Sequence, residues 1–490
     1  MRDRVLVALL LGLAACGDSE PIAPPTAPAP MHSPVVAQAI AEWTARVPEE
    51  PAPEEADPEL VDGLVQFLVG ADARSHDLPL EEIRGVGDGA LPALVHTALD
   101  HERPVEQRTA AIELIAAIGT RAAGLQLVEL CASTNPSWIR AHAAWRLSEL
   151  DPAIDVVVPG LLLRLRSEID HEAAIYVAAA LASRRNFAGV EMLSRLASED
   201  PDEGARTRAA GQLAAIVEQE GAADARALID QWDARAPGFR HGEPSDALRL
   251  LAWQWIQTLS GDTFQLRPVD DARFLLMRLG PWIVEPLATA LDDVDPYVRL
   301  HSAQCLERMG AVARPAVPAL TKALDDPRLA PQAAMSLGAI GGPGVRESLS
   351  RAAAQGPNEL RVAAARGLGV LGDDAVVTLL TQIFEDDSEP IDLRQAAAES
   401  VLKLRPGGVG SAQKFLVACL TDPAADVGGA ERALDAWLGA DGGSGVDAET
   451  LDAWKAAAKS EGAIPTPAES RARRATRADV LRSGLARRGN

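Results

Sequence analysis

The chain has 490 residues, a formal net charge of −23 at neutral pH, and only 4% aromatic residues. This length exceeds what one ordinary hydrophobic core supports, so several domains or a repeat architecture are expected. So acidic a chain argues against nucleic acid as the partner, because phosphates need a basic face.

Residues 1–16 are predicted to be an export signal. A charged start is followed by an apolar run, residues 5–15, which is too short to span a bilayer. The run ends in Leu13-Ala14-Ala15-Cys16, which resembles the lipobox of bacterial lipoproteins. The resemblance implies cleavage before Cys16, acylation of that residue, and a lipid-anchored protein of the bacterial cell envelope, with Gly17 favouring the outer membrane. The alternative is an ordinary secretory signal with a chance cysteine.

Residues 17–57 are rich in proline and alanine, a composition typical of an extended tether. One short helix is predicted inside it, at 34–47, where Ser33 can act as a cap. Three apolar residues share a face of that helix: Val36, Ile40 and Trp43. We expect the helix to dock on the first repeat; the alternative is a peptide that recruits a partner.

From residue 58 to residue 460 the sequence repeats at intervals of 31 to 34 residues, with one gap that hides two further units. The repeated position is an apolar residue in the second helix of each unit. It falls at Leu114, Leu147, Leu181, Leu213, Leu306, Leu337, Leu368, Val401 and Leu434. A repeat of this length predicts a stack of helix pairs.

Other marks recur with the same period. A proline precedes most second helices, where a missing N–H costs nothing, and it marks the turn between the two helices. A second proline, inside several first helices, predicts a kink. An arginine stands seven residues before the repeated position in five units: Arg140, Arg206, Arg299, Arg361 and Arg394.

These marks resemble HEAT repeats, of the short kind also found in phycobilisome-lyase-like proteins. The resemblance implies an all-α fold, an α-solenoid of about eleven stacked helix pairs. It also implies that the second helices line the concave face and that the arginines form a ladder between units. Four units lack the arginine, those of Leu114, Leu181, Leu337 and Leu434, so the ladder is expected to be interrupted. Proteins of this kind mostly supply binding surfaces.

Residues 218–270 break the rhythm and contain Trp253 and Trp255. These tryptophans are candidates for a partner surface, since irregular inserts often carry binding loops; the alternative is a core of large residues at a bend. Trp138 and Tyr297, each two residues before a ladder arginine, are further candidates, because aromatic residues are common binding anchors. Their alternative is packing on the next turn.

The last segment, residues 461–490, contains seven arginines and no aromatic residue. It is predicted to be disordered. Three outcomes are open: the tail folds back on the acidic body, binds anionic lipid or cell-wall polymers, or is a solvated end.

No catalytic motif is present. His101-Glu102 and His171-Glu172 resemble the iron-binding pairs of HEAT-repeat deoxyhypusine hydroxylases, but the two pairs stand at different positions of the repeat, so no metal site and no cofactor are predicted. The prediction is a lipid-anchored scaffold that binds a protein partner in the bacterial envelope. The alternatives are a hydroxylase-like or lyase-like enzyme and a purely structural envelope component.

Overall fold

The computed structural model describes residues 34–47, 53–72, 75–151, 154–228, 244–260, 266–405, 410–440, 449–450, 452–453 and 467–488. Within these ranges the regular elements are all helical. Contacts divide the chain into two compact units, Met1–Pro286 and Leu287–Asn490. In each compact unit, the first helix of a repeat packs on the second helix of that repeat, and the second helices of successive repeats stack on one another. The predicted fold class, an all-α solenoid, is confirmed.

The first unit contains thirteen described α-helices. They are Pro34–Arg46 (α1), Pro58–Gly70 (α2), Asp77–Val86 (α3), Leu91–Leu99 (α4), Val105–Ile118 (α5), Arg121–Leu130 (α6), Ser137–Glu149 (α7), Val158–Ser167 (α8), His171–Ser183 (α9), Phe187–Glu199 (α10), Glu203–Gln219 (α11), Asp246–Thr258 (α12) and Leu266–Leu276 (α13). Helices α5, α7, α9 and α11 are the second helices of their pairs.

The next described helix, Val284–Ala290 (α14), straddles the division. The second unit continues with Pro296–Met309 (α15), Val317–Lys322 (α16), Ala330–Ile340 (α17), Val345–Gln355 (α18), Asn358–Leu371 (α19), Val377–Glu385 (α20), Ile391–Leu404 (α21), Gly410–Cys419 (α22), Val427–Ala440 (α23) and Pro467–Arg488 (α24). Here α15, α17, α19, α21 and α23 are second helices.

The turn prolines stand where the second helices begin. Pro104, Pro136, Pro357 and Pro390 occupy the N-cap with extended backbone. In α15 the cap is Asp295, whose carboxylate accepts the N–H of Tyr297 at 2.8 Å. Each turn therefore satisfies or removes a donor that the first helical turn leaves unpaired.

The internal prolines do not kink a continuous first helix. Instead, a short 3₁₀ turn leads into the α-segment, as Gly87–Ala90 leads into α4 and Asp155–Val157 into α8. Pro92 and Pro159 then fall at the start of the α-segment. A proline in the first turn removes no intrahelical bond, so the first helix is broken at a turn rather than bent.

The core lies along the second helices. All repeated apolar positions are fully buried except Leu213, which is partly exposed in α11. Small residues bring neighbouring second helices close together. Ser336 Oγ donates to the Ala303 carbonyl at 3.0 Å, and Ser400 Oγ donates to the Ala365 carbonyl at 2.9 Å. Each hydroxyl thus bonds to the backbone of the preceding unit, which fixes the register of the stack.

The helix predicted in the tether is present as α1, but it packs on α12, not on the first repeat. Val36 is buried there, and the Arg249 guanidinium lies 5.3 Å from the centre of the Trp43 ring. The irregular part of the repeat therefore offers α1 an apolar and cationic surface. The expectation that α1 docks on the first repeat is wrong.

The arginine-rich tail also differs from its expectation, because residues 467–488 form the helix α24. Its Ala478 and Leu481 are buried, and α24 packs on α22. Arg477 donates to Glu431 and to Asp435, both at 2.5 Å. Of the three outcomes considered, the structure has the tail folded back on acidic residues of the body. The remaining tail residues, 461–466 and 489–490, lie outside the described ranges.

Candidate functional site

The repeated arginines share one local position. Arg140, Arg206, Arg299, Arg361 and Arg394 each stand four residues after the N-cap of a second helix. From there each guanidinium reaches back over the turn that precedes its helix. In all five it donates to a backbone carbonyl of that turn or of the preceding helix.

Three of these arginines also reach the next unit. Arg140 binds both oxygens of Glu168 at 2.8 and 2.6 Å, and Arg361 binds both oxygens of Glu389 at 2.7 and 2.5 Å. Arg299 lies 3.2 Å from an oxygen of Asp326. The fork of the guanidinium matches the two carboxylate oxygens in the first two pairs, which makes them the stronger links.

The other two arginines make no such link among the described residues. Arg206 donates to the carbonyls of Asp200 and Pro201, and residues 229–243 lie outside the described residues. Arg394 pairs within its own turn with Asp387 at 2.6 Å and lies 4.8 Å from the Phe415 ring centre. Arg394 therefore has no ion pair to the next unit among the described residues, and its link to that unit is aromatic, since Phe415 lies in α22.

A sixth arginine was missed by the sequence reasoning. Arg108 also stands four residues after its N-cap, Pro104, and donates to the Ala98 carbonyl at 3.0 Å. Its link to the next unit is aromatic, because the guanidinium lies 4.9 Å from the centre of the Trp138 ring. Counting from the N-cap would have found it, whereas counting seven back from Leu114 did not.

The gap predicted at Leu181 is filled by a histidine. His171 Nδ1 lies 2.8 and 2.6 Å from the two oxygens of Asp200, a buried carboxylate in the next turn. Burial opposes ionisation of Asp200, but the N–H of Asp202 and the His171 ring outweigh it and hold the pKa of that carboxyl below its usual range. His171 is therefore a rung of the ladder.

The two His-Glu pairs are separate. His101 is exposed in a turn, while His171 is bound to Asp200. Across the described ranges, no group of three or more His, Cys, Asp or Glu residues could hold a metal ion.

The predicted aromatic surface divides in two. Trp253 and Trp255 are only 7% and 5% exposed, so their assignment to a partner surface is wrong; they pack inside the irregular segment, the alternative considered for them. Trp138 is partly buried under Arg108, as packing on a neighbouring turn requires. Tyr297 is 42% exposed and is the one candidate that presents a large side chain to solvent.

A groove crosses the second helices of the second unit. Its first depression, of about 480 Å³, lies over α19, α21 and α23. Apolar and small residues form the floor, and charged residues of both signs form the rim. The lining consists of Arg366, Glu399, Leu402, Lys403, Asp426, Gly429, Arg432, Ala433, Ala436 and Trp437. An apolar floor with a few placed charges is typical of a recognition surface.

A second depression, of about 500 Å³, lies over α17, α19 and α21. It includes Met335 and Val362 on its apolar side and Glu359 and Asp392 on its acidic side. Arg366 lines both depressions, so they adjoin at that residue. We call the two together the second-helix groove; it spans α17 to α23.

Polar contacts fix the charged residues around the first depression. The buried amide of Gln395 donates to Glu399 and to the Asp426 carbonyl, both at 2.7 Å, and accepts the Asp426 N–H at 2.9 Å. Burial raises the pKa of Glu399, while the Gln395 hydrogen bond and the charge of Arg366 act in the opposite direction. A Cβ at Gly429 would lie 2.6 Å from an Asp426 side-chain oxygen, so a larger residue there would displace the Asp426 carboxylate.

Cys16 and the rest of residues 1–33 lie outside the described residues. Among the helices that are described, none combines the length and apolar character needed to cross a bilayer.

Comparison with known proteins supports the repeat. Residues 284–361 match HEAT repeats, and residues 360–386 match the PBS lyase HEAT-like repeat. No curated protein matches the chain.

Several solved structures resemble the chain at low identity. Human deoxyhypusine hydroxylase in complex with glycerol is 14% identical, with a TM-score of 0.23, over 66% of this chain and 98% of its own. Importin beta is 14% identical, with a TM-score of 0.29, over 92% of this chain and 62% of its own. The karyopherin Kap121p, bound to the extreme C-terminus of the phosphatase Cdc14p, is 14% identical, with a TM-score of 0.27, over 83% and 50%. Likeness at this level concerns the fold alone.

The family matches confirm the predicted repeats as HEAT repeats over residues 284–361 and as PBS-lyase HEAT-like repeats over residues 360–386.

Proposed function

We propose that the chain is a scaffold whose second-helix groove holds a segment of a protein partner. The observation that carries the proposal is the continuity of the groove over four consecutive second helices. A surface of that form suits an extended or helical segment better than a compact small molecule. Small residues such as Ala433 and Ala436 leave room for a partner's side chains, and the rim offers charges of both signs.

The charge pattern of the groove favours a partner segment that itself carries both signs. Around the first depression the basic residues Arg366, Lys403 and Arg432 outnumber two carboxylates, whereas around the second the two carboxylates Glu359 and Asp392 outnumber one arginine. A segment with acidic residues at one end and basic residues at the other would meet complementary charge along its length. Such complementarity fixes orientation and excludes wrong partners more than it adds affinity.

Replacing Ala436 by arginine is expected to block this binding. Ala436 is exposed and lines the first depression, so the new side chain would fill the groove without disturbing the core. Affinity for the partner should fall on the order of tenfold or more, as when a central interface position is obstructed. The measurement is capture of the partner from envelope extract, followed by titration of the purified pair.

The matched control is Ala354→Arg, which adds the same side chain to an exposed position of α18, a first helix elsewhere in the second compact unit. It should bind as the natural protein does. A photoreactive residue at position 403 should cross-link to the partner, and one at position 354 should not. Equal capture by the Ala436 and Ala354 variants would place the partner elsewhere, and no retained partner at all would favour a purely structural role.

We also propose that the chain is held on the outer membrane of the bacterial envelope through lipid on Cys16. The support is the sequence of residues 1–16, with its charged start, short apolar run and small residues before the cysteine. Two or more acyl chains anchor a protein stably, whereas one does not. A scaffold fixed in this way would hold its partner near the membrane surface, which raises the local concentration of both.

Cys16→Ala is expected to leave the precursor uncleaved and unlipidated. Mass spectrometry of the natural protein should show an acylated N-terminus at Cys16, and the variant should lose its membrane fraction. Changing a buried cysteine instead, Cys305→Ala, should leave lipidation intact. An unmodified N-terminus beyond residue 16 in the natural protein would contradict the anchor, without bearing on the groove.

A further inference from the structure

A small cationic pocket lies in the first unit, far along the sequence from the second-helix groove. It is a cavity of about 290 Å³ between α8, α10 and the end of α13. Leu162 and Met192 contribute apolar walls, and the ring of Phe274 lies within it. Arg166, Arg195 and Arg278 also line it. Three arginines in one pocket are unexpected in a chain with a net charge of −23.

Two of these arginines share the ring of Phe274. The guanidinium carbon of Arg278 lies 4.0 Å from the ring centre, and that of Arg166 lies 4.8 Å from it. A cation over an aromatic face is attracted by the ring, which holds the guanidinium in place while its N–H groups remain available. The Arg278 backbone is fixed as well, because the buried amide of Asn186 donates to its carbonyl at 3.3 Å.

Two of the three arginines, Arg195 and Arg278, have no ion-pair partner among the described residues. Arg166 pairs with Asp271 at 2.9 Å, but Arg278 donates to the Phe274 carbonyl and Arg195 to the Met192 sulfur. Among the described residues, no carboxylate lies within ion-pair distance of Arg195 or Arg278. Of the described residues that line this cavity, Glu191 is the only carboxylate. Burial lowers the pKa of Arg278; Glu191 opposes the shift and Arg166 adds to it.

We propose that this pocket binds a small organic anion, an apolar body that ends in a carboxylate or a phosphate monoester. The anionic group would be bound by Arg195 and Arg278, whose N–H groups form charge-assisted hydrogen bonds with oxyanions. The apolar body would lie against Leu162 and Met192, the apolar walls of the cavity. A volume of about 290 Å³ admits a single-ring or short-chain compound and excludes a folded partner.

The test uses purified full-length protein titrated with phenyl phosphate, benzoate, inorganic phosphate and benzylammonium, followed by calorimetry or ligand NMR. One of the two organic anions should bind saturably and more weakly at high salt, and the comparison between them tells phosphate from carboxylate. Inorganic phosphate should bind more weakly because it lacks the apolar body. The proposal would be overturned if neither organic anion bound saturably, or if benzylammonium bound as tightly as they do. If inorganic phosphate bound as tightly as the organic anions, the apolar body would not be part of the recognised ligand.

Variants separate the pocket from general charge effects. Arg195→Gln combined with Arg278→Gln should weaken binding about tenfold or more, since each removes a hydrogen bond to a charged group. Arg208→Gln, an exposed arginine of α11 outside the pocket, should change nothing. Glu191→Gln should tighten binding, because it removes the pocket's own negative charge; this gain in affinity does not arise from misfolding. Unchanged affinity in both the double variant and the Glu191 variant would rule the site out.

Discussion

Replacing Gly338 by alanine is expected to weaken the packing of α17 against α19 by about 3 kcal/mol, the upper end of the usual cost of overpacking. A Cβ at Gly338 would lie 2.6 Å from the Gly367 Cα and closer still to its carbonyl oxygen. Both are backbone atoms, so no side chain can turn aside and the two helices must separate. The relation is mutual, since a Cβ at Gly367 would lie 2.7 Å from the Ala334 carbonyl oxygen.

The measurement is hydrogen exchange of the amides in α17 and α19, because a solenoid opens locally and a single unfolding temperature describes it poorly. The matched control is Gly211→Ala in α11. Nothing lies within 4 Å of a Cβ at Gly211, so alanine there should stabilise its helix by up to about 1 kcal/mol through helix propensity. Similar exchange in the natural protein and the Gly338 variant would mean that the second helices are not packed this closely.

The sequence predicted the repeat because its marks are local. Caps, turn prolines and one buried apolar position per unit depend on residues only a few places apart, so their period is visible without the fold. In the repeat that contains Leu114, the same reasoning chose a repeated position one residue too early. Leu114 and Ile115 are both fully buried, and Ile115, seven after Arg108, is the position equivalent to the others. Because the residues were counted back from Leu114, Arg108 was not recognised as one of the repeated arginines.

Partners across units were harder to predict. The acceptors Glu168 and Glu389 each stand 28 residues after their arginines, a regular distance that the sequence displays. Arg394 departs from it, since its ion pair is with Asp387 in its own turn. His171 replaces an arginine from a different local position, the first residue of α9. A ladder contact whose donor residue, position in the repeat and partner all differ from the other contacts cannot be recognised from the repeat pattern.

The groove and the tail show two further limits. Ala433 and Ala436 line the groove, yet in the sequence they resemble the alanines that pack the core, so exposure had to come from the fold. The tail did contain a signal that its high charge obscured. Arg474, Arg477, Ala478 and Leu481 are spaced as one face of a helix. A charged segment folds when its partner surface, here Glu431 and Asp435, carries the opposite charge.

Arg140→Ala is expected to destabilise the contact between α7 and α9 by about 3 to 5 kcal/mol, as when one partner of a buried ion pair is removed. The side chains of Arg140 and Glu168 are only 9% and 3% exposed. Loss of the guanidinium would leave the Glu168 carboxylate with two backbone N–H donors, from Ile169 and Asp170, and without its counter-charge. The Asn135 carbonyl would lose its bond at 2.6 Å as well.

For the other arginine variants, the expected loss of stability is smaller where the side chain is less buried. Arg299→Ala should cost about 1 to 3 kcal/mol, since it removes charged hydrogen bonds from a more exposed turn. Arg351→Ala, at an exposed position of α18, should cost well under about 1 kcal/mol. Arg140→Lys should recover only part of the loss, because lysine cannot bind both oxygens of Glu168 in the plane of the carboxylate. Hydrogen exchange of the second helices reports all four variants. Equal costs for Arg140→Ala and Arg351→Ala would show that the ladder contributes nothing to stability, whereas full recovery by lysine would show that charge alone, without the paired geometry, links the units.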